Sequence, residues 1–357
     1  MPKQSFTDLT EEQAQRIRQA FLDAIYTARN RAQISAIAEA LARGDIEAVI
    51  RALALDPVVF RGLEQAIEQA FEVGGNWQID RLLPRTTATG ARVDILFNVR
   101  NFAAESWLRS HSSTLIREIT DDIRTATRNF LTAGMEAGNN PRTVALDLVG
   151  RLNRVSGKRE GGVLGLTSAQ EQWIRNYEAE LRDPERLAQA LARSLRDKRF
   201  DGAIRAAIKE GRGLDAQMVS RAIQSYRNKA LKLRGDTIGR TEAMASLHQA
   251  SYEAMQQAID AGQVDRDLVT GKWKTAKDWR VRDTHRALEG REVPFGDVFV
   301  TPRGNRLRFP GDPSGPASEI VNCRCTIAWR IDYLRQAARD ARSTAPVNFN
   351  ESPVRSA

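Results

Sequence analysis

Trp279-Arg280-Val281-Arg282-Asp283-Thr284-His285 and Asn322-Cys323-Arg324-Cys325 mark the stretch that decides how this chain folds. Both lie within Lys272–Arg330, which also gathers Trp273, Phe295, Phe299, Phe309, Trp329 and the turn Pro310-Gly311-Asp312-Pro313. Almost everything before it follows the period of a helix. This segment does not. Trp273–Lys277 alternates with period two, as a strand does. Asp297–Thr301 and Asn305–Phe309 flank Pro302-Arg303-Gly304, a hairpin by its turn chemistry. Cys323–Ile331 alternates again, and a short helix over Tyr333–Arg342 comes next. The expectation is a small β-rich unit over 263–335, closed by a Cys-x-Cys strand.

The 357 residues suffice for two or three domains with real cores. Hydrophobic residues are 41% and charged residues 28%, a globular balance. Lys and Arg number 54 against 45 Asp and Glu, a formal charge of +9. That excess favours an anionic partner, with double-stranded DNA first, or else is ordinary basic drift. Met1–Phe6 opens no signal peptide, because no apolar run comes after it, and no window offers the roughly 18 apolar residues of a membrane span. Two cysteines one residue apart cannot staple a secreted fold, so a cytoplasmic, reduced protein is expected.

Upstream, the pattern is helical. Thr10-Glu11-Glu12-Gln13 has the spacing of a capping box, and Ile17, Phe21, Ala24, Ile25 and Ala28 recur at helical spacing. The pattern runs on to Gly44, Asp45 caps a further short helix, and Asp56-Pro57 opens another that should end at Gly74-Gly75. Residues 1–83 form the expected N-terminal bundle. Pro84–Gly90 reads as a loop, and His111 lies just before a long helix. Ile116, Ile119, Ile123, Ala126 and Phe130 step by three and four, giving a core-facing stripe or a seam between copies, within a segment spanning 84–155. Asn139-Asn140-Pro141 breaks that helix and caps the next. Ser156–Gly162 reads as a flexible charged linker, Thr167–Gln170 as a second capping box, and Asp183-Pro184 as a helix start.

A basic helical region over 156–262 carries Arg193, Arg196, Lys198, Arg199, Arg205, Lys209, Arg227, Lys229, Lys232 and Arg234. These form either a phosphate-contacting surface or a solvated helix face. Asp236–Ala261 should be one amphipathic helix with Ala243, Leu247, Ala250, Ala254 and Ala258 on one side, ending at Gly262. Ser343–Ala357 is polar and aperiodic, a disordered tail by composition. The fold class is α+β, a mostly helical elongated N-terminal part joined to a small β-containing C-terminal domain.

Two thiolates on one side of a strand plus an imidazole make a common zinc set. Cys323, Cys325 and His285 are the candidate ligands, Asp283 the candidate fourth, and zinc the expected ion. The alternative is a pair of cysteines packed in a strand with His285 hydrogen-bonded nearby. Asp283, His285 and Glu289 could instead serve a metal-dependent or acid–base hydrolase acting on DNA.

Trp279, Asp283, His285, Leu288-Glu289-Gly290, Pro310-Gly311-Asp312-Pro313 and Asn322-Cys323-Arg324-Cys325 occur in the order that resembles the Mu F-like head morphogenesis family of tailed phages, the minor head proteins. Ile238-Gly239-Arg240-Thr241-Glu242-Ala243 looks like that family's Ile-Ala-Arg-Thr-Glu helix, with Gly239 where alanine is usual. The signature spans Asp236–Trp329, and Ser113–Leu152 matches the family's style more loosely. Arg240, Glu242, Gly290, Asp312 and Asn322 fall on motif positions. The resemblance implies a structural protein of the virion, in the head interior near the portal, joining the head in the host cytoplasm. Its implied partners are the portal, with scaffold or major capsid protein, further copies of itself, and DNA bound without sequence preference. Its work would then be binding, not catalysis.

Overall fold

A computed structural model describes residues 4–53, 55–83, 85–86, 92–93 and 96–343. Most of the loop expected at Pro84–Gly90, and all but the first residue of the tail expected at Ser343–Ala357, lie outside the described residues. The protein is α+β and mostly helical. The helices are α1 Phe6–Arg31, α2 Ile34–Ala42, α3 Ile46–Ala52, α4 Arg61–Ile79, α5 Phe102–Glu136, α6 Pro141–Val149, α7 Ser168–Arg182, α8 Leu187–Ala192, α9 Asp201–Glu210, α10 Ala216–Asp260, α11 Asp283–Arg286, α12 Ala317–Ile320 and α13 Tyr333–Ser343. The strands are β1 Arg85–Thr86, β2 Arg92–Val93, β3 Arg151–Leu152, β4 Arg159–Glu160, β5 Val269–Lys274, β6 Glu292–Pro294, β7 Phe299–Val300, β8 Arg306–Leu307 and β9 Thr326–Ile331. Among the described residues, no helix is long and apolar enough to cross a membrane.

Contacts divide the chain into two compact units. One takes the described parts of Met1–Thr10, Glu68–Ser106 and Ala243–Ala357; the other takes Glu11–Ile67 and Trp107–Glu242. The divisions expected at 84, 156 and 263 therefore cut across both units. Each core joins helices far apart in the chain, which local composition does not report.

The unit built from Glu11–Ile67 and Trp107–Glu242 is helical. Ile17, Phe21 and Ile25 of α1 are buried, as are Ile116, Ile119, Ile123 and Ala126 of α5. The α5 stripe thus faces the core of its own chain. His111 sits within α5, not before it. Asp45 caps α3 by accepting from Ala48 N, and Asn140 caps α6 by accepting from Arg142 N and Thr143 N. Thr167 and Gln170 form the expected capping box of α7.

The segment expected as a linker, Ser156–Gly162, is not one. It turns tightly between β3 and β4, which pair Arg151 with Glu160, and leads into a buried loop containing Val163, Leu164 and Leu166. The carbonyls of that loop are satisfied by arginines. Arg29, fully buried in α1, donates to Gly162 O at 2.8 Å and to Leu164 O at 2.9 and 2.6 Å. Arg227 donates to Gly161 O at 3.2 Å and Arg234 to Gly165 O at 3.0 Å. Burying an unpaired carbonyl is costly, so three arginines let irregular backbone lie inside. Burial lowers the Arg29 and Arg234 pKa values to about 10.

The other unit holds the sheet. β5 lies between β6 and β9, all antiparallel, with Gly271 opposite Val293 on one side and Trp329 on the other. The hairpin predicted around Pro302-Arg303-Gly304 is present as β7–β8, pairing Phe299 with Leu307. Trp273, Leu288, Phe299, Leu307, Phe309, Cys323, Cys325 and Ile327 form one core cluster. Ala243, Leu247, Ala250, Ala254 and Ala258 of α10 are buried, as the small-residue face requires.

Several ends differ from expectation. α1 begins at Phe6, so Thr10 caps nothing: its hydroxyl donates back to Phe6 O at 2.7 Å. The cap is Ser5, whose Oγ accepts from Asp8 N at 3.1 Å. Phe6 stacks on His248 at 4.6 Å, and burying that ring makes the extra turn worthwhile. α1 stops at Arg31, where the expected pattern ran on. α4 passes through Gly74-Gly75 to Ile79. Those glycines are contact points, because a Cβ on Gly75 would stand 2.1 Å from the Phe97 ring and one on Gly74 2.8 Å from Leu247 Cα. α10 begins at Ala216, well before Asp236, and runs through Gly235, a close-approach point where a Cβ would stand 3.2 Å from Arg18 Cγ. β5 ends at Lys274, and Lys277 has a positive φ of 54°.

Candidate metal centre and basic surface

His285 lies in the single turn α11, Cys323 and Cys325 in the extended link before β9. The cysteines therefore precede the strand rather than belong to it. Asn322, at φ 56°, turns the chain so that this link enters the core. His285 is 0% exposed, Cys323 1% and Cys325 2%, and one ligand atom from each lies within 4.8 Å of the others. His285 Nδ1 stands 3.5 Å from both Sγ atoms. Trp273 meets the imidazole edge-on at 5.1 Å. Hydrogen bonding with Cys325, aided by His285, outweighs burial and holds the Cys323 thiol below its ordinary range; the same bond and burial push Cys325 up.

The other face of the imidazole meets Glu319. Its Oε2 lies 3.1 Å from His285 Nε2, ion-pair distance but off the line of a hydrogen bond. Glu319 is 1% exposed. It accepts from Thr284 Oγ1 at 2.8 Å and from Asn305 Nδ2 at 2.9 Å. Burial raises its pKa, but these bonds and the neighbouring His285 and Arg282 bring the balance below the usual value. Sequence reading missed Glu319; a lone glutamate in a Pro/Ser-rich turn gave no signal.

Asp283 does not join this cluster. Its side chain is 95% exposed and pairs with Arg286 at 3.0 Å, because α11 turns it outward. Glu289 also stands apart, accepting from Thr275 N at 2.6 Å. Asp283, His285 and Glu289 therefore do not converge, since the helix that should align them lasts four residues.

The remaining motif residues hold the fold. Asp312 is fully buried, accepts from Arg308 Nη2 at 2.8 Å and Nε at 3.0 Å, and accepts from Ser314 N. Burial raises its pKa, but Arg308 and the backbone bonds outweigh this and lower it. Glu242 accepts from His111 Nε2 at 2.6 Å. Gly290 turns at φ 74°, and Arg240 lies exposed on α10. Arg324 grips Asp278 with both nitrogens, at 2.5 and 2.6 Å, and holds its pKa at about 2 with the Arg280 backbone N–H assisting.

The basic stretch divides in two. Arg193 pairs with Glu180, Arg196 with Asp201 through two bonds, and Lys229 donates to Arg196 O at 2.8 Å. With the buried Arg227 and Arg234, these five cations serve internal partners. They do not form a phosphate surface, because helix periodicity shows spacing and not which carbonyls lie opposite. Arg199 and Arg205 are exposed but face Asp197 and Asp201. Lys198, Lys209 and Lys232 are exposed.

Residues 198–328 match the family described as phage Mu protein F like protein. This segment is Mu F-like. It contains the His285–Cys323–Cys325 cluster, Glu319 and most of the basic stretch. Over 125 residues, 35% of its length, the chain is also 30% identical to the NAD(+)--arginine ADP-ribosyltransferase EFV of Enterococcus faecalis, of which it spans 23%. No solved structure matches the chain. The Mu F-like match supports a role in phage head morphogenesis and, with it, a place in the virion.

Proposed function

We propose that this protein is a minor head protein of a tailed phage, incorporated through contact with the portal and lying against packaged DNA. The Mu F-like segment over 198–328 is the observation that carries this reading. The role is one of binding. The exposed Lys198, Arg199, Arg205, Lys209 and Lys232 offer charge to phosphates, with no groove-reading motif, so binding should be independent of sequence and fall steeply with salt. For the portal, the test site is the end of β3 and the turn after it, where Leu152 is 60% exposed and Val155 98%. Co-expression with the portal should give a complex that survives purification. Val155→Lys with Leu152→Lys should abolish it while leaving the melting temperature in place; a complex unaffected by both moves the contact elsewhere.

Catalysis on DNA is the competing reading, and the separation of Asp283 and Glu289 from His285 weighs against it. Plasmid incubated with the protein and Mg²⁺ or Mn²⁺ should be retarded and stay uncut. The ADP-ribosyltransferase activity in the name of the Enterococcus faecalis protein belongs to a chain of which less than a quarter is matched.

A further inference from the structure

We infer that His285 Nδ1, Cys323 Sγ and Cys325 Sγ hold one Zn²⁺, and that Glu319 positions the imidazole from behind. The two nitrogen–sulfur separations fit a tetrahedral site. Zinc–sulfur and zinc–nitrogen bonds of about 2.3 and 2.0 Å at a tetrahedral angle put N and S about 3.5 Å apart. His285 Nδ1 lies 3.5 Å from each sulfur. The three ligands come from two separate segments, α11 and the Cys-x-Cys link, and both are turned inward to a fully buried point. Soft thiolates with imidazole in that arrangement select zinc over the hard cations.

Glu319 supplies what such a site needs around it. A metal-ligating histidine presents its other nitrogen to a carboxylate or carbonyl, which fixes the tautomer and ring angle. Glu319 Oε2 stands 3.1 Å from Nε2, and Thr284 and Asn305 hold the carboxylate in place. With the proton on Nε2, Nδ1 keeps its lone pair toward the sulfurs. Binding one Zn²⁺ converts the two thiols to thiolates and releases two protons to solvent. Two thiolates balance the ion's charge, and the Glu319 carboxylate is the remaining negative charge, held by Thr284 and Asn305. Asp283 is excluded by its exposure, and the fourth position goes to water or another small ligand.

The test uses the full chain. Protein purified without chelator and desalted should contain one zinc by elemental analysis, and apo protein titrated with Co²⁺ should show tetrahedral d–d bands with thiolate-to-metal charge transfer at one equivalent. Cys323→Ser and Cys325→Ser should each lose the charge-transfer intensity, in part or whole. Because those variants could unfold, two others carry the argument. Asp283→Ala should keep full stoichiometry and affinity. Glu319→Gln should keep stoichiometry at saturating metal but weaken affinity about 10–100-fold. Wild-type protein that is folded yet takes up no zinc and gives no cobalt bands overturns the site. Unchanged affinity in Glu319→Gln overturns the role of Glu319.

Discussion

Replacing Gly239 by alanine, the residue that the resembling family usually carries there, should destabilise this protein. Within a helix, alanine is favoured over glycine by about 1 kcal/mol, so a reading from helix propensity alone predicts a gain. The surroundings predict the reverse. A Cβ at this position would stand 2.3 Å from Ala14 O, 3.0 Å from Arg18 Cβ and 3.1 Å from Arg18 N. The first contact is with backbone, which cannot rotate away, so α1 must retreat by roughly 1 Å to reach an ordinary carbon–oxygen separation. Overpacking of this kind costs about 1–3 kcal/mol. Set against the propensity gain, the net loss is up to about 2 kcal/mol, or up to roughly 8 °C in a unit of this size. Gly202 in α9 is the control: nothing lies within 4 Å of its added Cβ. Gly202→Ala should raise stability by up to about 1 kcal/mol. Scanning calorimetry of wild type and both variants decides it. If Gly239→Ala raises the melting temperature as Gly202→Ala does, the close approach of α1 and α10 is wrong.

Three further outcomes are expected. Arg29→Met leaves Gly162 O and Leu164 O buried without donors and should cost about 3–5 kcal/mol in urea denaturation, with Arg29→Lys restoring only part, since an ammonium lacks the guanidinium fork. Burial lowers the His248 pKa to about 3, despite the Pro310 and Met244 carbonyls that favour its charged form. Its folded value lies below the unfolded one, so falling pH protonates the unfolded state first, and stability drops between roughly pH 6.5 and 3. Between pH 7 and 5 wild type should lose about 2 kcal/mol more than His248→Phe; equal losses in both would show that His248 does not titrate as described. Lys198→Glu, Lys209→Glu and Lys232→Glu together should reduce DNA retardation and flatten its salt dependence by about three counterions, and an unaltered slope removes this face from DNA contact.

The helices were legible where apolar spacing was strong, as for Ile116, Ile119 and Ile123, and the β7–β8 hairpin was legible from Pro302-Arg303-Gly304. Local signals failed where a distant contact decided. Thr10-x-x-Gln13 and Thr167-x-x-Gln170 have the same spacing, yet only the second caps a helix, because Phe6 rewards an earlier start for α1. Glycine and charge made Ser156–Gly162 resemble a linker, while the arginines that let the Val163–Leu166 loop be buried lie in α1 and α10. The metal candidates His285, Cys323 and Cys325 were legible because cysteine is rare here. Glu319 was not, since only the fold brings it to His285.

Both units draw on early and late parts of the chain, and this sets a schedule for synthesis. Residues 68–106 leave the ribosome long before the strands that share their unit, β5 and β9, which end at Lys274 and Ile331. At about 5–20 residues per second, the delay between residue 106 and residue 331 is on the order of ten to forty seconds. Through that interval Phe71 and Ala70, both fully buried once folded, have no completed core to enter. A nascent chain in this condition exposes apolar surface before its core is complete, which makes it a natural client for a chaperone.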